Sequence, residues 1–162
     1  MIDILPILDI DSLVRWRKIV IESVFGHAPD FDLIDENRRY FLEHIEDGTY
    51  FPLTAFYDED EAGCAAACFY DELPSPDNSE GRCAKIMNVY VKPQYRGIGI
   101  ARRMISLLVE EAGKRHCGKI CLETTEEGRP IYKALGFAPM GDMMVYLRTQ
   151  SDPAITSDKT TG

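Results

Sequence analysis

Gly97 and Gly99 stand two residues apart in Gln94-Tyr95-Arg96-Gly97-Ile98-Gly99, with Arg96, Arg102 and Arg103 around them. Glycines let a backbone approach a ligand with no Cβ in the way. If a helix starts here, its first N–H groups have no intrahelical partners and point outward. The helix dipole adds a partial positive charge at the same place. Together these make a seat for phosphate or pyrophosphate. The arginines add side-chain charge. The pattern therefore predicts a phosphorylated ligand. The plainer alternative is a tight strand-to-helix turn with no ligand.

Two familiar phosphate loops can be compared with this turn. The P-loop string G-x-x-x-x-G-K-[ST] does not occur. The dinucleotide fingerprint needs a third glycine, or an alanine, where this chain has Arg102. Its ribose-binding acid belongs about 20 residues on, and Glu123 stands roughly there. That reading is weakened and stays open on the residues alone.

The flanking residues supply the strand and the helix. Lys85 to Val91 is rich in apolar and β-branched residues, and Pro93 stops the run. From Ile100 the period becomes helical, with Ile100, Met104, Leu107, Leu108 and Ala112 on one face. Arg102, Arg103, Glu110, Glu111 and Lys114 fall toward water.

The turn matches [QR]-x-x-G-x-[GA], and Gly128-Arg129-Pro130-Ile131-Tyr132-Lys133-Ala134-Leu135-Gly136-Phe137 follows with one predicted strand between. Over roughly Cys83 to Arg148 the chain resembles the GNAT superfamily of acetyl-CoA-dependent N-acetyltransferases. The first motif resembles the family's acetyl-CoA loop. The second resembles its closing Y-x-x-x-G-F helix and turn. Val89-Tyr90-Val91-Lys92-Pro93 resembles the strand that leads into the loop.

The resemblance implies a function residue by residue. Acetyl-CoA would be the acetyl donor, with no metal. Asn88, Val89, Tyr90 and Val91 would offer backbone groups to the pantetheine arm, at a splay between two strands. Gln94 is the first motif position. The pyrophosphate would rest on N–H groups of Arg96, Gly97, Ile98, Gly99, Ile100, Ala101 and Arg102. The reaction would be acetyl transfer to a primary amine by direct attack. Tyr132 matches the tyrosine that protonates the leaving thiolate; with an ordinary pKa of ~10 it holds its proton at neutral pH. Glu123, or a water held by Asn88, is the candidate base. A surface ion pair is the alternative for Glu123. Thr125 stands where the family often has a pantetheine-binding asparagine, and its hydroxyl can still donate or accept. A CoA-binding sensor without catalysis is the alternative function. An ATP- or NAD-binding α/β domain is a third.

The rest of the chain supplies the scaffold. Ile2–Leu8 is an edge strand or lead-in. Asp11 or Ser12 caps a helix to about Phe25 with Leu13, Trp16, Ile19, Val20 and Val24 inward. Asp32–Glu46 is a second helix with Ile34, Tyr40, Phe41, Leu42 and Ile45 inward. Tyr50–Tyr57 and Cys64–Tyr70 are strands joined by an acidic turn, and Asp71–Gly81 is a loop. Lys119–Thr125 is a strand, Glu126–Leu135 a helix, and Met143–Arg148 a last strand. The expected fold is α/β (α+β), a GNAT-like mixed sheet, mostly antiparallel, with helices on both faces. Residues 1–150 are expected to form a single domain, with 151–162 a polar flexible tail.

Composition narrows the classes further. The chain has 162 residues, 45% of them hydrophobic and 28% charged, as in ordinary globular domains. The net charge of −9 excludes the basic footprint of a nucleic-acid binder. It favours either plain solubility or cationic amine substrates. No ~18-residue apolar run exists and no basic leader precedes Ile2, so neither a membrane span nor a signal peptide is expected. A cytoplasmic protein is expected. Five cysteines without C-x-x-C, and three scattered histidines, suggest neither a disulfide framework nor a metal site. Cys64 and Cys83 are expected as small core residues. Two copies of the chain pairing through sheet edges, with Met143–Arg148 as one edge, is a further expectation.

Overall fold

Ala62 to Cys68 is a run of small apolar residues with no charge among them. Such a run suits a strand buried on both faces. In the computed structural model, which describes residues 1–148, it lies in the central strand of a five-stranded sheet. The strands are β1 (Ile2–Pro6), β2 (Tyr50–Tyr57), β3 (Asp60–Asp71), β4 (Arg82–Val91) and β5 (Lys119–Leu122), in that order across the sheet. β1 to β4 are antiparallel neighbours, and β5 lies parallel to β4. The sheet is thus mixed and mostly antiparallel.

Strand alternation sends successive side chains to opposite faces. Ala65 and Ala67 pack in one core with Met104, Ile105 and Leu108 of α3 (Ile100–Lys114). Ala66 packs in the other with Leu13 and Val14 of α1 (Ile10–Phe25) and Phe41 of α2 (Phe31–Glu46). The short helix α4 (Arg129–Ala134) sets Tyr132 against the α3 core, with Leu135 just beyond its end. Helices therefore cover both faces.

Several expected details change. The cap of α1 is Asp9, whose carboxylate accepts from the Ser12 N–H at 3.0 Å, in place of Asp11 or Ser12. Val24 and Leu42 point outward, and Leu107 lies on the exposed flank of α3 while Ile105 is fully buried. β5 and α4 are shorter than expected at their facing ends, because 123–128 turn back between them. Met143–Arg148 forms no strand, and Met143, Met144, Val145 and Leu147 are between 68% and 98% exposed. A strand needs a neighbour for its N–H and C=O groups, and apolar alternation alone does not supply one. The expected polar tail from Ser151 lies outside the described residues. Among the described residues, no helix is long and apolar enough to cross a membrane.

Candidate active site

β4 is flanked unequally. β3 accompanies it as far as Val91, whereas β5 pairs only with Cys83 to Ile86. From Met87 to Val91 the second edge of β4 has no strand beside it among the described residues, so its backbone polar groups there lack ladder partners. This is the splay expected at Asn88, Val89, Tyr90 and Val91.

A bulge sits in the same stretch. Cys64 pairs with Tyr90 and Ala66 with Met87, so β4 spends one more residue than β3. Asn88 absorbs it with a φ of +58°, a conformation asparagine tolerates better than most residues. Its side chain is aimed at α1, where the Arg17 Nη1 donates to Asn88 Oδ1 at 2.9 Å. The Asn88 carbonyl accepts from Cys64 Sγ at 3.3 Å. Trp16 lies alongside, 6.4 Å from the Tyr90 ring.

After Val91 the chain makes one 3₁₀ turn, Pro93–Tyr95, and enters α3. Gly97 and Gly99 both take left-handed conformations, φ +80° and +87°, which glycine alone adopts without strain. A Cβ on either would project into open space. Gly99 is the N-cap, and no side chain caps the helix. The first bond from this end is Arg103 N–H to Gly99 C=O at 3.1 Å, leaving the N–H groups of Ile100, Ala101 and Arg102 without intrahelical partners. Gln94, Ile98, Arg102 and Arg103 are exposed around this end. Arg96 instead folds back, donating from Nε to the Val91 carbonyl at 2.9 Å, with its guanidinium over Tyr90. Tyr95 anchors the turn by donating to Asp60 Oδ2 at 2.9 Å.

Beyond β5 lie the other predicted residues. Tyr132 is half-buried, its ring edge-on to Phe137 at 5.9 Å. Burial pushes its hydroxyl above the ordinary tyrosine pKa. Gly128 lets the ring sit close: a Cβ there would lie 2.9 Å from Thr124 Oγ1 and 3.3 Å from Tyr132 Cε2. Thr125 Oγ1 accepts from the Gly128 N–H at 3.3 Å, so its hydroxyl supports the turn into α4. Glu123 is 87% exposed and pairs with Lys85 Nζ at 2.9 Å, the ion-pair arrangement.

Arg17 and Trp16 stand beside Asn88 and Tyr90, a placement not expected from the sequence. The signal was present: Arg17 interrupts an otherwise apolar helix face.

A strand splayed from its neighbour, facing the bare N-terminus of a helix across two left-handed glycines, defines the GNAT architecture. The chain belongs to the acetyltransferase (GNAT) family, whose profile matches residues 12–137. A crystal structure of a predicted acetyltransferase with acetyl-CoA from Clostridium acetobutylicum superposes with a TM-score of 0.80 at 30% identity, covering 91% of this chain and 96% of that one. N-alpha-acetyltransferase 30 of Saccharomyces cerevisiae is 32% identical over 65 residues, 38% of this chain and 37% of the relative. Glucosamine 6-phosphate N-acetyltransferase of Trypanosoma brucei brucei is 38% identical over 52 residues, 32% of this chain and 35% of the relative. The matched stretches thus span about a third of these curated relatives.

Proposed function

We propose that this chain transfers the acetyl group of acetyl-CoA to a primary amine by direct attack. The observation that carries this is the open edge of β4 from Met87 to Val91, together with the uncapped start of α3 behind Gly97 and Gly99. The edge offers backbone partners to the amides of the pantetheine arm, and the helix start offers N–H groups to the pyrophosphate.

In the reaction the neutral amine nitrogen bonds to the thioester carbonyl carbon and the C–S bond breaks. The leaving thiolate takes a proton from the Tyr132 hydroxyl, which burial keeps protonated. The proton lost by the amine passes to water, and water returns a proton to the Tyr132 oxygen, so the hydroxyl is restored for the next turnover. Glu123 faces solvent in its pair with Lys85, so we assign it no part in this transfer. We place the reaction in the cytoplasm, where five free thiols stay reduced.

Calorimetry with acetyl-CoA, followed by thiol release against a panel of amines, tests the reading. Binding with release for one amine class supports it. Binding without release across amines and peptide acceptors leaves a CoA sensor. No binding sinks it.

A further inference from the structure

Arg17 occupies a position that the helix pattern reserves for an apolar residue. The buried residues of α1 include Leu13, Val14, Val20 and Ile21. Arg17 falls in the middle of that stripe, four residues from Leu13 and four from Ile21. It is partly buried. Withdrawing a charge from water is costly unless an opposite charge meets it. Here none does among the described residues. Nε donates to Asn37 Oδ1 at 3.2 Å and Nη1 to Asn88 Oδ1 at 2.9 Å, and both acceptors are neutral amides.

The contrast with the other arginines is informative. Arg15, Arg38, Arg39, Arg82, Arg115 and Arg129 each have a carboxylate partner. Acidic residues outnumber basic ones by 27 to 18, so partners are abundant. Among the described residues, and apart from Arg148, the arginines with no such ion pair flank the glycine turn, where the phosphates of acetyl-CoA would supply the charge, or else are Arg17. The guanidinium is held by amides from two elements, α2 and β4, and one of them is the bulge residue at the splay. A guanidinium positioned in this way presents its remaining donors to a carboxylate or phosphate.

We propose that the acceptor is a small primary amine that also carries a carboxylate or a phosphate monoester, and that Arg17 binds that anion. This rests on the acetyl-transfer reading above. It reverses the preference for cationic substrates that the net charge of −9 suggests, because Arg17 brings to the splay a positive charge held only by neutral amides.

The test compares paired acceptors by thiol release: common α-amino acids and β-alanine beside their carboxamides, and glucosamine 6-phosphate beside glucosamine. The carboxylate and phosphate arms separate the two sources of charge. Wild type is expected to favour the anionic member of at least one pair by about 10- to 100-fold in kcat/KM, the range of a charged hydrogen bond. Arg17→Ala removes the preference, mainly through KM. Arg17→Lys restores part of it. Acetyl-CoA affinity and Tm in both variants report whether the fold is intact. Equal rates for both members of every pair in wild type overturn the proposal. So does an Arg17→Ala that slows both members alike, or a protein that binds acetyl-CoA yet turns over no anionic amine. Failure of wild type to bind acetyl-CoA is a different result and removes the transferase reading itself.

Discussion

At the scale of single residues, the two carboxyl and phenol groups singled out from the sequence have different surroundings. Tyr132 is drawn out of water and holds its proton more firmly than a free tyrosine. An acid must be protonated to act, so a raised pKa carries its active form past pH ~10. Tyr132→Phe is expected to lower kcat by about 100-fold or more, the range of one general acid. Acetyl-CoA affinity should stay within about twofold, since the proposed role of the hydroxyl is on the leaving sulfur alone. Stopped-time thiol release with calorimetry on the same samples checks both. An unchanged kcat removes Tyr132 from the mechanism. Glu123 is the opposite case. Its pair with Lys85 lies in water and is worth little. Glu123→Gln should leave kcat within about twofold and Tm within about 2 °C. A fall in kcat of about 100-fold or more would restore Glu123 as the base.

At the scale of elements, the proposed site depends on two glycines for different reasons, Gly99 for its left-handed backbone and Gly128 for the close approach of its neighbours. At Gly99 the backbone is left-handed and the space beside it is open. Gly99→Glu puts a side chain and a negative charge at the helix N-terminus, where they compete with the phosphate for the dipole and the free N–H groups. Acetyl-CoA binding by calorimetry should disappear while the circular dichroism of the fold persists. Intact binding would show that the turn holds no phosphate. At Gly128 an added methyl meets Thr124 and the Tyr132 ring. Gly128→Ala is expected to shift Tyr132 and cut kcat by about tenfold or more, with a smaller effect on acetyl-CoA affinity. The glycine turn, its strand and α3 were legible in the sequence because their signals are local: a β run, a proline, two glycines and a helical period. The splay was reached only through family resemblance, because no local pattern shows where β5 leaves β4. Arg17 was legible in principle. Reading α1 by its apolar positions alone passed over the charge lodged among them. Met143–Arg148 misled for the converse reason: its apolar run reads as a strand, but pairing is a property of two segments.

At the scale of the whole molecule, the site and the surface carry opposite charge. The chain has a net charge of −9, while Arg102, Arg103 and the start of α3 make the glycine turn locally positive. The topology that separates them was largely readable, since the order of strands and helices followed from periodicity and turns. The field was not, because it depends on which charges the fold pairs off. Acetyl-CoA carries several negative charges and meets both fields in turn. At ~10 mM salt the Debye length is about 30 Å, and the repulsion of the whole acidic surface reaches an approaching ligand. Near 0.15 M the length falls to about 8 Å, which hides the distant acids and leaves the arginines beside the turn in force. Near 1 M, at about 3 Å, those too are screened. The association rate of acetyl-CoA, followed by stopped flow, should therefore rise between the first two salt concentrations and fall again toward the third. The variant Arg102→Gln/Arg103→Gln should lose the maximum and keep only the rise. A wild-type rate that falls steadily from the lowest salt would mean that the positive turn governs approach at every distance, and that the acidic surface lies away from the path of the ligand.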